Sequence, residues 1–159
     1  MKKTILIVLV SILLASCGST KVIRQSKKVM KGMWELSSIT YSTSGTFNVS
    51  LFNDVSKECF EGSTWQFVPN NNTGIYTIDN GTCDAGPRNF IFKIQEVDAQ
   101  TDLYDFLLKP TDVKHQSDSN HGYRLWLEQL SEETMKWRQT VTVEGKAFHI
   151  YMNFNKINK

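Results

Sequence analysis

From Gly32 onward, apolar and polar residues alternate along short segments, and this alternation restricts the fold more than any other feature of the chain. A period of two places the apolar residues on one face of a β-strand, whereas a helix needs a period of 3.6. Turn-forming pairs separate the segments, as at Asn80-Gly81 and Glu144-Gly145. The pattern predicts eight strands, over residues 33–41, 65–67, 75–78, 89–97, 101–108, 122–130, 135–143 and 146–154. Eight short strands joined by consecutive hairpins predict an all-β fold, an eight-stranded antiparallel up-and-down barrel.

The strand residues make two further predictions. In the first strand, alternation puts Trp34 and Leu36 on one face and Ile39 and Tyr41 on the other. Pro110 is expected to end the fifth strand, because proline has no backbone N–H to donate to a ladder. A long connection follows the first strand, and we expect at most a short helical turn within it, around residues 54–60.

The first seventeen residues have the organisation of an export signal. Two lysines follow Met1, an apolar run of about eleven residues comes next, and small residues precede Cys17. Such a run is too short to span a bilayer, which needs about twenty apolar residues. Leu14-Ala15-Ser16-Cys17 resembles the lipobox of bacterial lipoproteins. The resemblance implies that residues 1–16 are removed and that lipid on Cys17 anchors the mature chain to a membrane. The alternative is a plain secretory peptide or a short anchor helix with an incidental cysteine.

Charge is distributed unevenly along the chain. After Cys17, five cations precede the first acid, Glu35, whereas residues 35–159 carry eleven Lys and Arg against 16 Asp and Glu. Residues 17–30 are therefore predicted to be a lipidated N-terminus and a basic flexible tether, and residues 31–159 to be one barrel domain. The lysines of the tether serve either to keep it extended or to contact anionic lipid headgroups. Nucleic acid is not expected as a partner, because the body of the chain is acidic.

Three cysteines are present, and lipid on Cys17 would leave Cys59 and Cys83 as a pair. An exported protein folds in an oxidising compartment, where an even pair of cysteines favours a disulfide. The alternative is two unrelated small core residues. No Cys-x-x-Cys spacing indicates a zinc site or redox catalysis.

The segment from Lys31 to Ile39, with Gly32-Met33-Trp34 at its centre, resembles the opening of lipocalin-like domains in bacterial envelope lipoproteins. The resemblance extends over about residues 31–155, through the hairpin around Thr73-Gly74 and the late strand pair. It implies a lipocalin-like barrel in which Gly32 and Trp34 lie at the closed base. In the wider family an arginine near the last strand packs on this tryptophan. The last strand here has no arginine, so Arg124 or Arg138 is expected to take that place.

Bulky apolar residues on the predicted inner faces are the candidate ligand-lining residues. An eight-stranded barrel holds either side chains or one small ligand. These side chains would line a pocket for a small apolar or flat ligand, or they would simply fill the barrel. The candidates are Trp65, Phe67, Phe92, Leu125, Leu127, Trp137 and Phe148.

Other kinds of site have weaker support in the sequence. His115, Asp118 and His121 could ligate a metal, but they lie in a polar loop that offers no rigidity, so neither a metal nor another cofactor is expected. No motif for a nucleophile, a zinc protease or a phosphate loop is present, and an enzyme is not expected. We expect a monomer in the cell envelope. Gly18 after Cys17 resembles lipoproteins sent to the outer membrane, on its periplasm-facing side. A protein-interaction module or inhibitor with a filled barrel is the alternative function.

Overall fold

The computed structural model describes residues 21–98, 103–117, 119 and 121–157. Eight antiparallel strands pair in chain order, and β8 returns to pair with β1, which closes the barrel. The predicted fold is confirmed. The elements are α1 (Lys21–Met30), β1 (Gly32–Tyr41), α2 (Lys57–Phe60), β2 (Thr64–Val68), β3 (Thr73–Ile78), β4 (Gly86–Asp98), β5 (Leu103–Thr111), β6 (Tyr123–Leu130), β7 (Thr134–Val143) and β8 (Lys146–Lys156).

Strand β1 contains a β-bulge, and the prediction of its two faces is wrong. Its register with β8 shifts between Leu36 and Ser38. Side chains alternate between the two faces of a strand, so one extra residue at a bulge moves every following side chain to the opposite face. Leu36 and Ile39 are consequently both buried in the barrel core, and Tyr41 packs against it.

Strand β5 continues through Pro110 to Thr111, so the expected end of the strand at Pro110 is also wrong. Pro110 pairs with Phe90 of β4, whereas the ladder between β5 and β6 ends at the pair of Leu108 with Tyr123. Proline is tolerated at this position because the β6 side no longer requires a hydrogen bond from the β5 backbone.

Residues 21–30 form helix α1, so the prediction of a flexible tether over 17–30 is wrong for this part of it. Met30 is completely buried and Val29 nearly so. Lys27 Nζ donates to Asn72 Oδ1 at 2.6 Å, which ties the helix to the turn between β2 and β3. Of the helices in the described ranges, neither has the length and apolar character needed to cross a bilayer.

The strand order gives the barrel two different ends. The helix end carries α1, the β2–β3 turn and the β6–β7 turn, and the chain enters β1 and leaves β8 there. The opposite end, called the mouth here, carries the long β1–β2 connection, the β3–β4 and β5–β6 loops and the Glu144-Gly145 turn. The core between them is continuous from Met30 at the helix end to Phe148 at the mouth.

Candidate functional site

The centre of the barrel is occupied by aromatic rings. Trp137 stacks on Phe106 with ring centroids 4.5 Å apart, and Phe154 lies 4.7 Å away on its other side. Trp65 stands perpendicular to Trp137 at 5.6 Å and parallel to Tyr76 at 4.6 Å. These distances are typical of directly packed rings. A ligand in the centre would therefore have to displace side chains.

The seven predicted lining residues are all buried and belong to one core. Six of them contribute to the deep part of the barrel, and Phe148 lies apart from those six, close to the mouth. Their exposed fractions are Trp65 0%, Phe67 1%, Phe92 4%, Leu125 0%, Leu127 3%, Trp137 0% and Phe148 8%.

The helix end is closed by Trp34, as the lipocalin resemblance implies. Trp34 is fully buried, and its indole N–H donates to the Met30 carbonyl oxygen at 2.8 Å. Gly32, two residues before it, has φ +123°, a conformation that L side chains rarely adopt. In the Gly-x-Trp pattern, the glycine thus allows the chain to turn sharply into β1, and the tryptophan two residues later closes the helix end.

The cation over Trp34 is Lys156, so the expectation of Arg124 or Arg138 is wrong. Lys156 Nζ lies 5.1 Å from the centroid of Trp34 and donates to the Val29 carbonyl oxygen at 2.8 Å. It lies directly opposite Trp34 in the β1–β8 register. Arg138 packs over Trp126 instead, and Arg124 pairs with Asp105.

The mouth is covered by the β1–β2 connection, which folds over it as a lid (residues 42–63). Leu51, Phe52 and Phe60 of the lid are buried in the core. The Phe52 ring lies 5.1 Å from Tyr123 on the far side of the mouth. A disulfide joins Cys59 of α2 to Cys83 of the β3–β4 loop, which confirms the predicted pair.

A charged cluster holds one side of the lid. The Tyr76 hydroxyl donates to Asp54 Oδ2 at 2.9 Å, and Arg88 Nε donates to the same oxygen at 3.2 Å. Arg88 also pairs with Asp84 at 2.6 Å. Burial raises the pKa of the Tyr76 hydroxyl, and the negative charge of Asp54 raises it further. The cluster therefore fixes the lid with Tyr76 neutral and Asp54 charged.

The other side of the lid leaves an apolar groove, called the mouth groove here. Its volume is about 480 Å³, within the range of small-molecule pockets. The rings of Phe47 and Phe148 meet at 4.8 Å along it. None of its described lining residues is ionisable; they are Thr46, Phe47, Asn48, Val49, Ser50, Gln139, Val141, Val143, Phe148 and Ile150.

Tyr41 lies beside the mouth groove with an unused hydroxyl. Its ring is 5.2 Å from Phe47 and 5.4 Å from Phe148. Its hydroxyl oxygen is buried and has no hydrogen-bond partner among the described residues. Burial raises the pKa of this hydroxyl, and the negative charges of Glu58 and Glu61 raise it further. Tyr41 therefore supports the two rings from behind the groove, with its hydroxyl neutral and buried.

A second groove, of about 460 Å³, lies across β4, β5 and β6. Three of the side chains that line it are cations: Lys93, Lys109 and Arg124. Lys93 and Arg124 are exposed on the outer wall. No part of the lid lines this groove, whereas the mouth groove is formed by the lid and two strands together.

Several predictions concern residues for which the structure gives little or nothing. Cys17 and the first sixteen residues lie outside the described part of the chain, as does Asp118. His115 and His121 are exposed, and among the described residues no group of three or more metal-ligating side chains is assembled.

Comparison with known proteins is consistent with this architecture. Residues 30–137 match the family described as Lipocalin-like domain. A crystal structure of a lipocalin-like protein from Bacteroides uniformis ATCC 8492 superposes with a TM-score of 0.49 and 10% identity, covering 81% of this chain and 99% of that one. No curated protein sequence matches. Since the family match covers more than half of the chain, the protein belongs to the lipocalin-like domain family.

Proposed function

We propose that this protein is a membrane-anchored lipoprotein of the cell envelope whose lipocalin-like barrel binds a small apolar ligand at its mouth. The observation that carries the ligand proposal is the mouth groove, in which Phe47 from the lid and Phe148 from β8 form one wall. The role proposed is binding rather than catalysis, because the groove offers apolar surface and no ionisable side chain.

The ligand position differs from the one that the sequence suggests. Six of the seven predicted lining residues pack against one another in the core, and opening a site among them would separate stacked rings. Of the seven, Phe148 alone lines the mouth groove. The proposed site is therefore shallow, with Thr46, Asn48 and Gln139 among the polar side chains along an otherwise apolar groove.

Two matched variants test the proposed groove. Val143 lines it and is 50% exposed, whereas Val68 is 39% exposed and lies at the helix end. We expect Val143→Lys to weaken binding of the neutral apolar dye N-phenyl-1-naphthylamine about tenfold, equivalent to about 1.4 kcal/mol, because the ammonium group would be desolvated by the ligand. Val68→Lys should leave the affinity unchanged. Equal affinities for both variants would reject the mouth groove as the site.

The second candidate function is a protein-interaction module or inhibitor, and the ring-filled core favours it. Native mass spectrometry of the protein purified from its own envelope separates the two functions. A homogeneous small molecule that is lost from Val143→Lys supports the ligand binder. A stoichiometric protein partner, with no small molecule retained, supports the interaction module.

The proposed anchor is lipid on Cys17, after removal of residues 1–16, and the proposed location is the periplasm-facing leaflet of the outer membrane. This proposal is supported by Leu14-Ala15-Ser16-Cys17 and by Gly18. Cys17→Ala should move the protein from the membrane fraction to the soluble fraction or stop its processing. A variant that still sediments with membranes after a high-salt wash would refute the lipid anchor.

A further inference from the structure

The outer face of α1 carries a stripe of cations, called the basic stripe here: Lys21, Arg24, Lys28 and Lys31. They follow one another at intervals of three, four and three residues, which places them on one side of a helix. Lys31 continues the helical hydrogen bonding, because its N–H donates to the Lys27 carbonyl oxygen at 3.2 Å. All four side chains are exposed.

The opposite face of α1 is occupied by the barrel. Met30 and Val29 are buried, the Trp34 indole donates to the Met30 carbonyl oxygen, and Lys156 donates to that of Val29. Among the α1 side chains that the structure describes, none leaves the helix an exposed apolar face to insert into a bilayer. Any contact it makes with a membrane is a surface contact through its charged side.

The basic stripe is electrostatically uncompensated within the described residues. None of its four members forms an ion pair there, and α1 contains no acidic residue. The exposed acid Glu132 of the neighbouring β6–β7 turn is directed to Lys156, at 3.8 Å. A stripe of four cations that forms no ion pair among the described residues is complementary to a surface rich in negative charge.

The position of the stripe in the chain indicates which anionic surface it meets. Lys21, its first residue, follows Cys17 by four residues, so a lipid on Cys17 would hold the helix end within a few residues' reach of headgroups. We propose that the basic stripe docks on an anionic lipid surface and orients the barrel with its helix end toward the bilayer and its mouth toward the aqueous phase. The cellular meaning of this docking depends on the proposed anchor, whereas the contact itself does not.

Binding to vesicles by a chain that lacks the anchor tests the contact alone. All the contacts described for α1 and the barrel lie within residues 21–157, so a protein of residues 18–159 retains them. It should sediment with vesicles of phosphatidylglycerol and phosphatidylcholine in equal parts, and remain in solution with phosphatidylcholine alone. Raising the salt from about 0.1 M to about 0.5 M should release it, because the contact is screened.

A charge-matched pair of variants tests the location of the contact. Arg24→Gln with Lys28→Gln should lower the vesicle partition coefficient about 25-fold, from about fivefold for each cation near a lipid surface. Lys114→Gln with Lys146→Gln removes the same charge from exposed positions at the mouth and should change it less than twofold. Circular dichroism of both variants establishes that α1 and the barrel remain folded.

Three outcomes would overturn the proposal, and a fourth would overturn only the lipid anchor. Equal losses of vesicle binding in the two double variants would show that binding responds to net charge and not to one particular surface. Equal binding to neutral vesicles would show an apolar contact. Binding to soluble polyglutamate without binding to anionic vesicles would point to an acidic protein as the partner. A positive vesicle result together with a Cys17→Ala variant that stays in the membrane fraction would keep the stripe and reject the lipid anchor.

Discussion

The two ends of this barrel are closed by different means. At the helix end, the seal consists of Trp34, Met30 and Lys156, joined by hydrogen bonds to backbone oxygens within a few residues of β1. At the mouth, the seal is the lid, which crosses the opening and is held by a disulfide and by the Asp54–Arg88 ion pair. The first seal consists largely of buried packing around Trp34, whereas the second adds a disulfide and an ion pair to the packing of the lid.

Because the two ends are closed differently, we expect the helix end to determine stability and the mouth groove to determine function. A seal of buried packing opens only when the barrel unfolds, because its removal exposes the core. The lid also buries Leu51, Phe52 and Phe60. Its residues 46–50, however, which line the mouth groove, are half-buried or exposed and can loosen while the barrel remains intact. The mouth groove lies beside the part of the lid that carries Phe47, on the side away from the disulfide. A change in the mouth groove, as at Val143, should therefore alter binding more than folding, and a change at the helix end should do the reverse.

Trp34→Ala should have the largest effect, because it removes a completely buried ring from the helix end. We expect the free energy of unfolding to fall by about 3–5 kcal/mol, measured by urea denaturation. Trp126→Ala, which removes a half-buried ring on the outer wall, is the control and should lose about 1 kcal/mol. Similar losses for the two variants would contradict the assignment of Trp34 as the seal.

Removal of the disulfide by Cys59→Ala with Cys83→Ala should have the next largest effect. The bond closes a separation of 24 residues, so the free energy of unfolding should fall by about 3 kcal/mol in the chain-entropy model. Hydrogen exchange should accelerate in the lid and remain slow in β1 and β8. Acceleration that spreads equally to α1 and to the lid would show that the two ends are not independent.

Alternation was sufficient to predict the barrel, although register shifts also occur between Leu127 and Gln129 of β6 and between Glu96 and Asp98 of β4. It failed in β1, because a bulge inserts one residue and the residue type at Ser37 gives no sign of it. Pro110 was misleading for a similar reason: whether a strand tolerates proline depends on where the neighbouring ladder ends. Both errors concern pairing between strands, which local patterns do not contain.

Helix α1 did leave a signal in the sequence. Val22-Ile23 and Val29-Met30 are seven residues apart, two helical turns, and the four cations fall between and beside them at helical intervals. The polar composition hid this pattern. The position of Lys156 over Trp34 left no signal in the sequence, because this contact arises from the β1–β8 register. The disulfide was predicted from the cysteine count of an exported chain, and the Gly32–Trp34 base from the lipocalin resemblance.

Lys156→Met tests the polar part of the helix-end seal. The ammonium group donates to the Val29 carbonyl oxygen and is only 17% exposed, so its loss leaves that oxygen without this donor. We expect the free energy of unfolding to fall by about 2 kcal/mol. Lys136→Met removes a cation that lies over Tyr151 on the outer wall and should cost less than about 1 kcal/mol. An unchanged free energy of unfolding in Lys156→Met would mean that Trp34 and Met30 seal this end without the lysine.

Tyr76→Phe should have the smallest effect at neutral pH and a distinctive one at alkaline pH. Loss of the hydrogen bond to Asp54 should lower the free energy of unfolding by about 1 kcal/mol at pH 7, because Arg88 continues to hold that carboxylate. Burial and Asp54 raise the pKa of Tyr76 in the folded protein above the ordinary value near 10. Above that pH the unfolded chain releases this proton and the folded chain retains it.

The stability that the neutral hydroxyl contributes is thus fully present below about pH 10 and is lost as the pH rises beyond it, by up to about 1.4 kcal/mol per pH unit. Tyr76→Phe lacks this proton, so its free energy of unfolding should fall less steeply than that of the unmodified protein between about pH 10 and pH 12. Urea denaturation of both proteins across this range measures the difference. Parallel curves would show that Tyr76 titrates alike in the folded and unfolded states, and the hydrogen bond to Asp54 would then add nothing to the disulfide, Arg88 and buried packing that hold the lid.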